Sequence, residues 1–481
     1  MADPTASDAP QPGSDQAPAP TAAPDAAGQP DAAVQSDGGA ELGRRRFFRQ
    51  FAGEIATTAA TMVGAAQAIQ RTSAELAGAI LDPTRLEDIP PTPAPPGAAG
   101  TRPAGGSPVF RTAFRIEGPA IVFVDQRVLP RAVAEHSAAT AAEVTWAIRN
   151  GIVVGGPAAG QAAAMGLALT AARVRATRPY ARRATFRGAA NAMRNAAPAN
   201  GSVVNATDRV MGAYDAVGEL SEDGEAIAAA MRAAADAIIA EAVADHGALV
   251  DAGVALLEGL PRRDDTPLRV LVHGPGGTLA GGQFGTALSI AMTAHQRDLP
   301  IRVVVPEGRP RFTGSRISCW ELAAAGVPCL LVADAAAPSL IAAGEVDAVL
   351  VPADRVAANG DVAAAIGTYP IAAAAASHAV PVIACVAASA VTGGTPDGAA
   401  IDSGYLDADA LDRVDRTVLA PPGTETRVPT HDITPAALVT AWLTAGGERT
   451  PPFGPPPGED GVVATEPAVA DLTARPGEDP A

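Results

Sequence analysis

Short apolar runs alternate with helical stretches along the second half of the chain. Beginning at Leu268, the runs read LRVLVH, IRVVV, PCLLVA, VDAVLV and VPVIACV. Apolar runs of this length are typical of strands buried on both faces, and their alternation with helices is typical of a parallel sheet. We therefore predict a Rossmann-like C-terminal domain over residues 223–450, in which helices cover a parallel sheet.

Residues 108–222 have a helical pattern instead, after one short strand at residues 121–124. Thr140 and Glu143 have the spacing of a capping box, which predicts a helix that continues through Ile148. Further helices are predicted for residues 158–172, 206–217 and 224–244. The predicted fold class is α/β, with a small helical N-terminal domain followed by the Rossmann-like domain.

The two ends of the chain lack the apolar side chains that a core needs. Residues 1–43 are mostly Ala, Pro, Gly, Asp and Gln, and residues 451–481 are Pro-rich and acidic, so we predict that both tails are disordered. In residues 44–82, apolar side chains recur near helical spacing and predict an amphipathic helix that docks on the body or on a protein partner. A Pro-rich linker, residues 83–107, follows this helix.

The segment RRRFFR, from Arg44 to Arg49, also fits the pattern of a twin-arginine export signal. Three features oppose export: a leader of 43 residues precedes the segment, Glu54 interrupts the apolar region, and no convincing cleavage site follows. We expect a cytoplasmic protein, with twin-arginine export as the alternative. We also expect no membrane span, because no uncharged apolar run is long enough.

Composition narrows the chemistry further. All 35 basic residues are Arg, so no Schiff base can form and any anion site must use Arg or backbone amides. The formal net charge is −17, mostly from the tails, which disfavours nucleic-acid binding through a basic face. Cys319, Cys329 and Cys385 lack metal-ligand spacing and are expected to be buried free thiols.

Two segments are candidates for chemistry. The sequence His273-Gly-Pro-Gly-Gly follows the first strand, where backbone amides could hold an anion, although tight turning alone also explains its glycines. Asp354 follows the strand VDAVLV and could transfer a proton, or could simply pair with Arg355. His378 and His431 have no recognisable triad or metal partners and are interpreted as structural.

Several motifs match one family in order and spacing. Asp125 to Pro130 resembles D-Q-R-x-L-P, Val154 to Gly160 resembles R-G-A-P-A-I-G, and Val304 to Leu322 is similar to V-x-E-T-R-P-L-L-Q-G-A-R-L-T-A-W-E-L. Asp354 to Tyr369 is close to D-R-I-A-A-N-G-D-V-A-N-K-I-G-T-Y, and His431 to Pro435 resembles F-D-V-T-P. Over residues 109–450, the chain thus resembles the methylthioribose-1-phosphate isomerases and the regulatory subunits of initiation factor 2B.

The resemblance implies a substrate cleft between two domains, a homodimer, and interconversion of an aldose 1-phosphate and a ketose 1-phosphate without a metal or organic cofactor. A cysteine and an aspartate are the reacting pair of that family, and Asp354 matches the aspartate. His273 is a second catalytic candidate. The substrate-binding candidates in the matching motifs are Gly156, Gly274, Gly276, Gly277, Arg316, Asn359, Gly360 and Asp361.

The chain departs from the family pattern at the positions that carry the chemistry. The cysteine position is Gly274, which cannot transfer a proton. Positions where the family has phosphate ligands are neutral here: Val154, Asn200, Thr313, Ala364 and Ala365, although Arg178 could replace the arginine missing at Asn200. Each lost charge-assisted contact removes roughly 1.5 to 3 kcal/mol of binding.

These departures leave two functions open. The first is a non-isomerase family member, a binding or regulatory scaffold with a small metabolite in a degenerate sugar-phosphate cleft. The alternative is an aldose–ketose isomerase acting on methylthioribose 1-phosphate or a related, perhaps unphosphorylated sugar, in which Asp354 and His273 react and the glycine loop and Arg316 hold the substrate.

Overall fold

The computed structural model describes residues 112–262, 266–392, 394–406, 409–414, 417–421, 423–451 and 453. They all belong to one compact unit of the chain, residues 94–481. The predicted tail of residues 1–43, the amphipathic helix of residues 44–82, the linker of residues 83–107 and nearly all of the tail of residues 451–481 lie outside the described ranges.

Residues 112–262 contain a small sheet and a helical layer. The sheet is antiparallel, with strands in the order β1 (Phe114–Glu117), β2 (Ala120–Val124) and β3 (Glu135–Ala138). The helices are α1 (Ala141–Arg149), α2 (Gly156–Val174), α3 (Pro179–Arg194), α4 (Gly201–Val217) and α5 (Gly224–Gly259).

Three of these helices, α1, α4 and α5, begin with a side-chain cap. The side chain of Thr140 accepts a hydrogen bond from the amide of Glu143 at the start of α1, as predicted. Asn200 accepts from the amide of Val203 at the start of α4, and Asp223 accepts from that of Ala226 at the start of α5. Each cap satisfies an amide that has no partner within its own helix, which fixes where the helix begins.

The long helix α5 joins the two halves of the structure. Its first part, including Ile227 and Met231, packs in the core of the helical layer. Its last part, including Leu249, Val254 and Leu257, packs on the sheet of the second half. The two halves therefore share one rigid element, while their division into domains at residues 222 and 223 stays a prediction.

The second half begins with β4 and ends with β15. The strands are β4 (Leu268–Val272), β5 (Ile301–Pro306), β6 (Cys329–Val332), β7 (Ala348–Pro352), β8 (Arg355–Val356), β9 (Val362–Ala365), β10 (Val382–Cys385), β11 (Arg413–Val414), β12 (Thr417–Val418), β13 (His431–Thr434), β14 (Ala441–Thr444) and β15 (Gly447–Arg449). The helices are α6 (Thr278–Gly281), α7 (Ala287–Gln296), α8 (Cys319–Ala325), α9 (Ala337–Ala342), α10 (Thr368–Ser377) and α11 (Asp409–Asp412).

The main sheet has seven strands in the order β15-β14-β10-β7-β4-β5-β6. The strands from β14 to β6 are parallel, and β15 pairs antiparallel with β14 at the edge. Successive side chains of a strand point to opposite faces. Accordingly, Val270 and Val272 join the core with α5 and α7, whereas Leu271 joins the core on the other face. The predicted α/β fold class with a parallel sheet is confirmed.

Several elements were not predicted from the sequence. Helix α3 occupies a segment with no predicted element, and its buried positions are Pro179, Arg182, Phe186, Ala190 and Met193. Strands β1 and β3 flank the strand predicted at residues 121–124. The turn at residues 359–361 leads into strand β9, which forms a separate antiparallel sheet with β8 and β13.

Candidate functional site

A cleft of about 330 Å³ lies where the helical layer meets the carboxyl ends of the parallel strands. The segment after β7 contributes Asp354, and the segment after β4 contributes His273 and Gly274. From the helical layer, Gly155 and Asn200 line the opposite wall. The cleft therefore occupies the place where parallel α/β sheets bind ligands.

The backbone of Asp354 is fixed on both sides. Its amide donates to the carbonyl of Ala363, 2.9 Å away, and its carbonyl accepts from the amide of Gly201, also 2.9 Å away. A Cβ atom on Gly156 would lie 2.9 Å from Oδ1 of Asp354, so only glycine leaves room for this carboxylate at the start of α2. The carboxylate is thus held beside the first turns of two helices.

His431 is the polar partner of Asp354. Its Nε2 atom lies 3.2 Å from Oδ2 of the carboxylate, and both side chains are about four-fifths buried, at 17% and 20% exposure. The two residues are 77 positions apart in the chain. From the sequence we expect His431 to be structural, whereas the structure places it in the lining of the cleft.

Both ring nitrogens of His431 have polar partners. Nδ1 lies 2.8 Å from the hydroxyl oxygen of Thr430, which also contacts the carbonyl of Ser403, and Nε2 lies 3.2 Å from Oδ2 of Asp354. An imidazole can take up or release a proton near neutral pH. The structure therefore places a group that can exchange protons in contact with the carboxylate of Asp354.

Arg355 does not pair with Asp354. Its guanidinium donates to the hydroxyls of Thr392 and Thr395, at 3.0 and 2.8 Å, and to the carbonyl of Pro198 at 3.0 Å. Burial lowers the pKa of this guanidinium from its ordinary value. Arg355 therefore does not neutralise the carboxylate of Asp354, which lines the cleft.

His273 is completely buried in the wall of the cleft. Its Nε2 lies 2.8 Å from the carbonyl of Ile366 and must donate to it, while its buried Nδ1 has no hydrogen-bond partner in the described part of the chain. Burial lowers the pKa of this imidazole, which keeps it neutral. His273 thus presents an acceptor nitrogen and no spare proton.

The glycine loop is positioned by a buried acid. Oε1 of Glu321 accepts from the hydroxyl of Thr278, 2.8 Å away, and from the amide of Leu279, 3.1 Å away. A Cβ atom on Gly277 would lie 2.2 Å from Oε2 of the same carboxyl. Glu321 is 2% exposed, and this burial raises its pKa. This loop contributes Gly274 to the lining of the cleft, but Gly276 and Gly277 lie outside that lining.

Other predicted binding residues lie away from the cleft and hold loops together. The guanidinium of Arg316 donates to the backbone carbonyls of Gln126, Leu129 and Arg311. Asp361 accepts from the amides of Gly398 and Ala436 and from the side chain of Asn359. Gly360 packs against Ala436 and Phe453. Arg316, Asn359, Gly360 and Asp361 are absent from the lining of the cleft.

Most positions that depart from the family pattern line the cleft, namely Val154, Asn200, Gly274, Thr313 and Ala365. Ala364 is buried and absent from that lining. Three arginines line the cleft as well, namely Arg149 at the end of α1 and Arg309 and Arg311 after β5. Arg309 matches the arginine of the family motif V-x-E-T-R-P, whereas Arg149 and Arg311 bring positive charge from positions outside the matching cations.

No cluster of three or more His, Cys, Asp or Glu side chains able to hold a metal ion occurs within the described ranges. Cys319, Cys329 and Cys385 are free; Cys385 is buried, while the other two are partly buried. Across the part of the chain that the structure describes, we find no helix with the length and apolarity needed to cross a bilayer.

The geometry defines an α/β protein with a contacting aspartate and histidine in a cleft between a helical layer and a Rossmann-like sheet. Residues 152–451 match the model of the Initiation factor 2 subunit family, and the chain belongs to this family. The methylthioribose-1-phosphate isomerase of Chloroflexus aurantiacus is 36% identical over 337 residues, which are 70% of this chain and 94% of that protein.

Two solved structures have the same fold. The 5-methylthioribose 1-phosphate isomerase of Pyrococcus horikoshii superposes with a TM-score of 0.61 at 29% identity, over 72% of this chain and 94% of that one. The delta subunit of the translation initiation factor eIF-2B from A. fulgidus superposes with a TM-score of 0.58 at 25% identity, over 71% and 96%. The predicted resemblance is confirmed.

Proposed function

We propose that this protein is an aldose–ketose isomerase in which Asp354 and His431 transfer protons to and from a sugar phosphate. The observation that supports this most directly is the 3.2 Å contact between Nε2 of His431 and Oδ2 of Asp354 inside the cleft. The isomerases that this chain resembles supply the reaction class.

The chemistry requires two proton transfers at neighbouring carbons. The bond between C1 and the ring oxygen breaks and the ring oxygen gains a proton. A base removes the proton from C2 and an acid adds one to C1, while the hydroxyl of C2 loses its proton as it becomes the ketone, so the composition is unchanged. An imidazole in contact with a carboxylate can take up one proton and return one. Gly274 removes the proton carrier expected from the family, and His431 supplies one at the same carboxylate.

The charge of the cleft favours an anionic substrate. Arg149, Arg309 and Arg311 line it, and a phosphate accepts hydrogen bonds from guanidinium groups in a bidentate geometry. Arg309 matches an arginine of the family motif, and Arg149 and Arg311 replace the arginine and lysine that the family motifs would place at Val154 and Ala365. We therefore favour the phosphorylated sugar over the unphosphorylated one.

Turnover by the full-length protein tests this proposal. Purified protein is incubated with methylthioribose 1-phosphate or with unphosphorylated methylthioribose, and NMR follows the appearance of the ketose. We expect conversion of the phosphate ester and loss of conversion in Asp354→Asn. Asp236→Asn, an exposed position on α5, is the matched control and should retain full activity. Equal activity of wild type and Asp354→Asn would contradict the proposed role.

A second function is supported by the neutral residues in the cleft. With Gly274, Val154 and Thr313 in its lining, the cleft could serve a binding or regulatory scaffold that holds a metabolite without turning it over. The same experiment separates the two functions. A thermal shift with the sugar phosphate, without any ketose in the NMR spectrum, would select the scaffold.

Three further properties belong to the same proposal. We propose a homodimer, a cytoplasmic location and a docking role for residues 44–82, on the basis of the family resemblance and the sequence pattern. Light scattering of the full-length protein, compared with a variant that begins at residue 108, tests both the oligomeric state and whether the N-terminal segment contributes to it.

A further inference from the structure

The turn that follows β5 forms much of one wall of the cleft. The residues of this turn that line the cleft are Gly308, Arg309, Pro310, Arg311 and Thr313. Gly308 has a φ of +77°, in the left-handed region, and a Cβ atom there would lie 2.8 Å from Oγ1 of Thr313 and 2.9 Å from the amide nitrogen of Gly314. The chain therefore folds back on itself here, and the position of Arg309 depends on what holds this turn.

Asp334 holds the turn from the neighbouring strand. It follows β6, which pairs with β5 in the main sheet. Its Oδ1 accepts a hydrogen bond from the amide of Gly308, 2.8 Å away, and its Oδ2 accepts one from the amide of Arg309, 2.7 Å away. Hydrogen bonds from backbone amides to a carboxylate are stronger than those to a neutral acceptor. Asp334 is absent from the lining of the cleft, so it acts on the cleft through the turn.

The side chain of Arg309 is also fixed. Its guanidinium lies over the ring of Phe312, 4.9 Å from the ring centroid, and its Nη2 donates to the carbonyl of Leu411, 3.2 Å away. Its Nη1 is buried and has no hydrogen-bond partner among the described residues. Because buried donors are normally satisfied, Nη1 requires an acceptor, and the oxygens of a phosphate suit a guanidinium well.

Arg309 differs in this respect from the other arginines of the cleft. Arg149 and Arg311 are exposed, so water screens their charges more strongly than the charge of Arg309, which is partly buried. The turn therefore offers one cation that is both held in place and only partly used by the protein itself.

We propose that Asp334 is a positioning residue for anion binding: by holding the turn, it places Arg309 so that Nη1 donates to the phosphate of the substrate. This inference rests on the sugar phosphate of the proposed function, and it names the residues that recognise the phosphate group. Arg309 contacts the anion, and Asp334 acts through the backbone of Arg309.

Calorimetric titration of the full-length protein with inorganic phosphate tests the role of Arg309 without any turnover. We expect wild type to bind phosphate and Arg309→Gln to bind it at least about tenfold more weakly, since a charge-assisted hydrogen bond is lost. Arg302→Gln, at the exposed position of β5, is the matched control and should bind like wild type. Absence of phosphate binding by wild type, or equal affinity in Arg309→Gln, would overturn the proposal.

Asp334→Asn separates positioning from a simple charge effect, because the two have opposite signs. The substitution removes a negative charge near Arg309, which by itself strengthens anion binding. It also exchanges one acceptor oxygen for an amide nitrogen, so only one of the two backbone amides keeps its hydrogen bond. We expect phosphate binding to weaken about three- to tenfold, and to weaken further in Asp334→Ala, which lacks both acceptors. Unchanged or tighter binding in Asp334→Asn would refute the positioning role, and this isosteric variant decides alone if Asp334→Ala does not fold.

Steady-state kinetics distinguishes this inference from the isomerase activity itself. With an active enzyme, Arg309→Gln and Asp334→Asn should raise KM for the sugar phosphate with a smaller effect on kcat, because binding to the phosphate is lost in the ground state and the transition state alike. Turnover with an unchanged KM in Arg309→Gln would reject the anchor and leave the isomerase. An inactive protein that binds phosphate through Arg309 would reject the isomerase and support the anchor.

Discussion

Nε2 of His431 and Oδ2 of Asp354 lie 3.2 Å apart, although Asp354 follows β7 and His431 begins β13. Strand β9 brings them together. The amide of Asp354 donates to the carbonyl of Ala363 in β9, and β9 pairs with β13 so that Ala365 faces His431. The acid–base pair is therefore a product of a small antiparallel sheet at the edge of the cleft.

Replacing His431 by the phenylalanine of the family motif should abolish most of the activity. We expect His431→Phe to lower kcat by roughly 10² to 10⁴ because the imidazole that exchanges protons beside Asp354 is lost, with little change in the melting temperature. Steady-state kinetics and thermal unfolding measure the two effects. His378→Phe, at the end of α10, is the control and should retain kcat. Unchanged turnover in His431→Phe would remove this imidazole from the mechanism.

Adding one methyl group at Gly156 should displace the carboxylate of Asp354. The new Cβ would lie 2.9 Å from Oδ1, so we expect Gly156→Ala to lose activity and to lower the free energy of unfolding by about 1 to 3 kcal/mol. At Gly188 in α3, a Cβ meets nothing within 4 Å. Gly188→Ala should instead stabilise the protein by about 0.5 to 1 kcal/mol, as urea denaturation can show. Equal effects at both positions would contradict the crowding at Asp354.

Glu321 should make stability fall as pH rises. Its pKa in the folded protein is raised by burial above the ordinary value of 4.5, so the native state binds more protons than the unfolded state between those two values. Its contribution to stability is therefore complete below about pH 4.5 and is lost as pH rises through the folded pKa. Glu321→Gln removes this dependence. Urea denaturation at several pH values should show that the free energy of unfolding of the variant rises relative to that of wild type as pH increases. Parallel pH dependences of the two proteins would contradict a buried acid at this position.

Arg182 should be a large contributor to the stability of the helical layer. It is 2% exposed, and its guanidinium donates to the carbonyls of Arg175, Thr177 and Ser221. Arg182→Ala leaves these carbonyls without donors, and we expect a loss of about 2 to 5 kcal/mol in the free energy of unfolding. The neighbouring Arg183 makes an exposed ion pair with Glu219, so Arg183→Ala should leave the urea midpoint essentially unchanged.

Much of the fold could be predicted because its signals are local. The five apolar runs became β4, β5, β6, β7 and β10, and the capping box at Thr140 starts α1. Helix α3 was harder to recognise because it is rich in Arg and Ala, although its five buried positions have helical spacing. Strands β14 and β15 have only four and three residues and give little periodic signal.

Only part of the candidate site could be predicted from the sequence. Asp354 could be placed because it directly follows a strand, where parallel sheets bind ligands. His431 could not, since its partner is 77 residues away and the antiparallel pairing of β9 with β13 has no local signature. One signal was available: a histidine stands where the family motif has phenylalanine, in a chain that lacks the expected cysteine. Arg316, although it lies in a matching motif, satisfies backbone carbonyls instead.

The first turn of α4 separates the cleft from a second cavity of about 250 Å³. On one side, the amide of Gly201 holds the backbone of Asp354; on the other, the hydroxyl of Ser202 meets Ser389 beside Asn205. A substitution in this turn that changes the shape of one cavity should therefore also change the other.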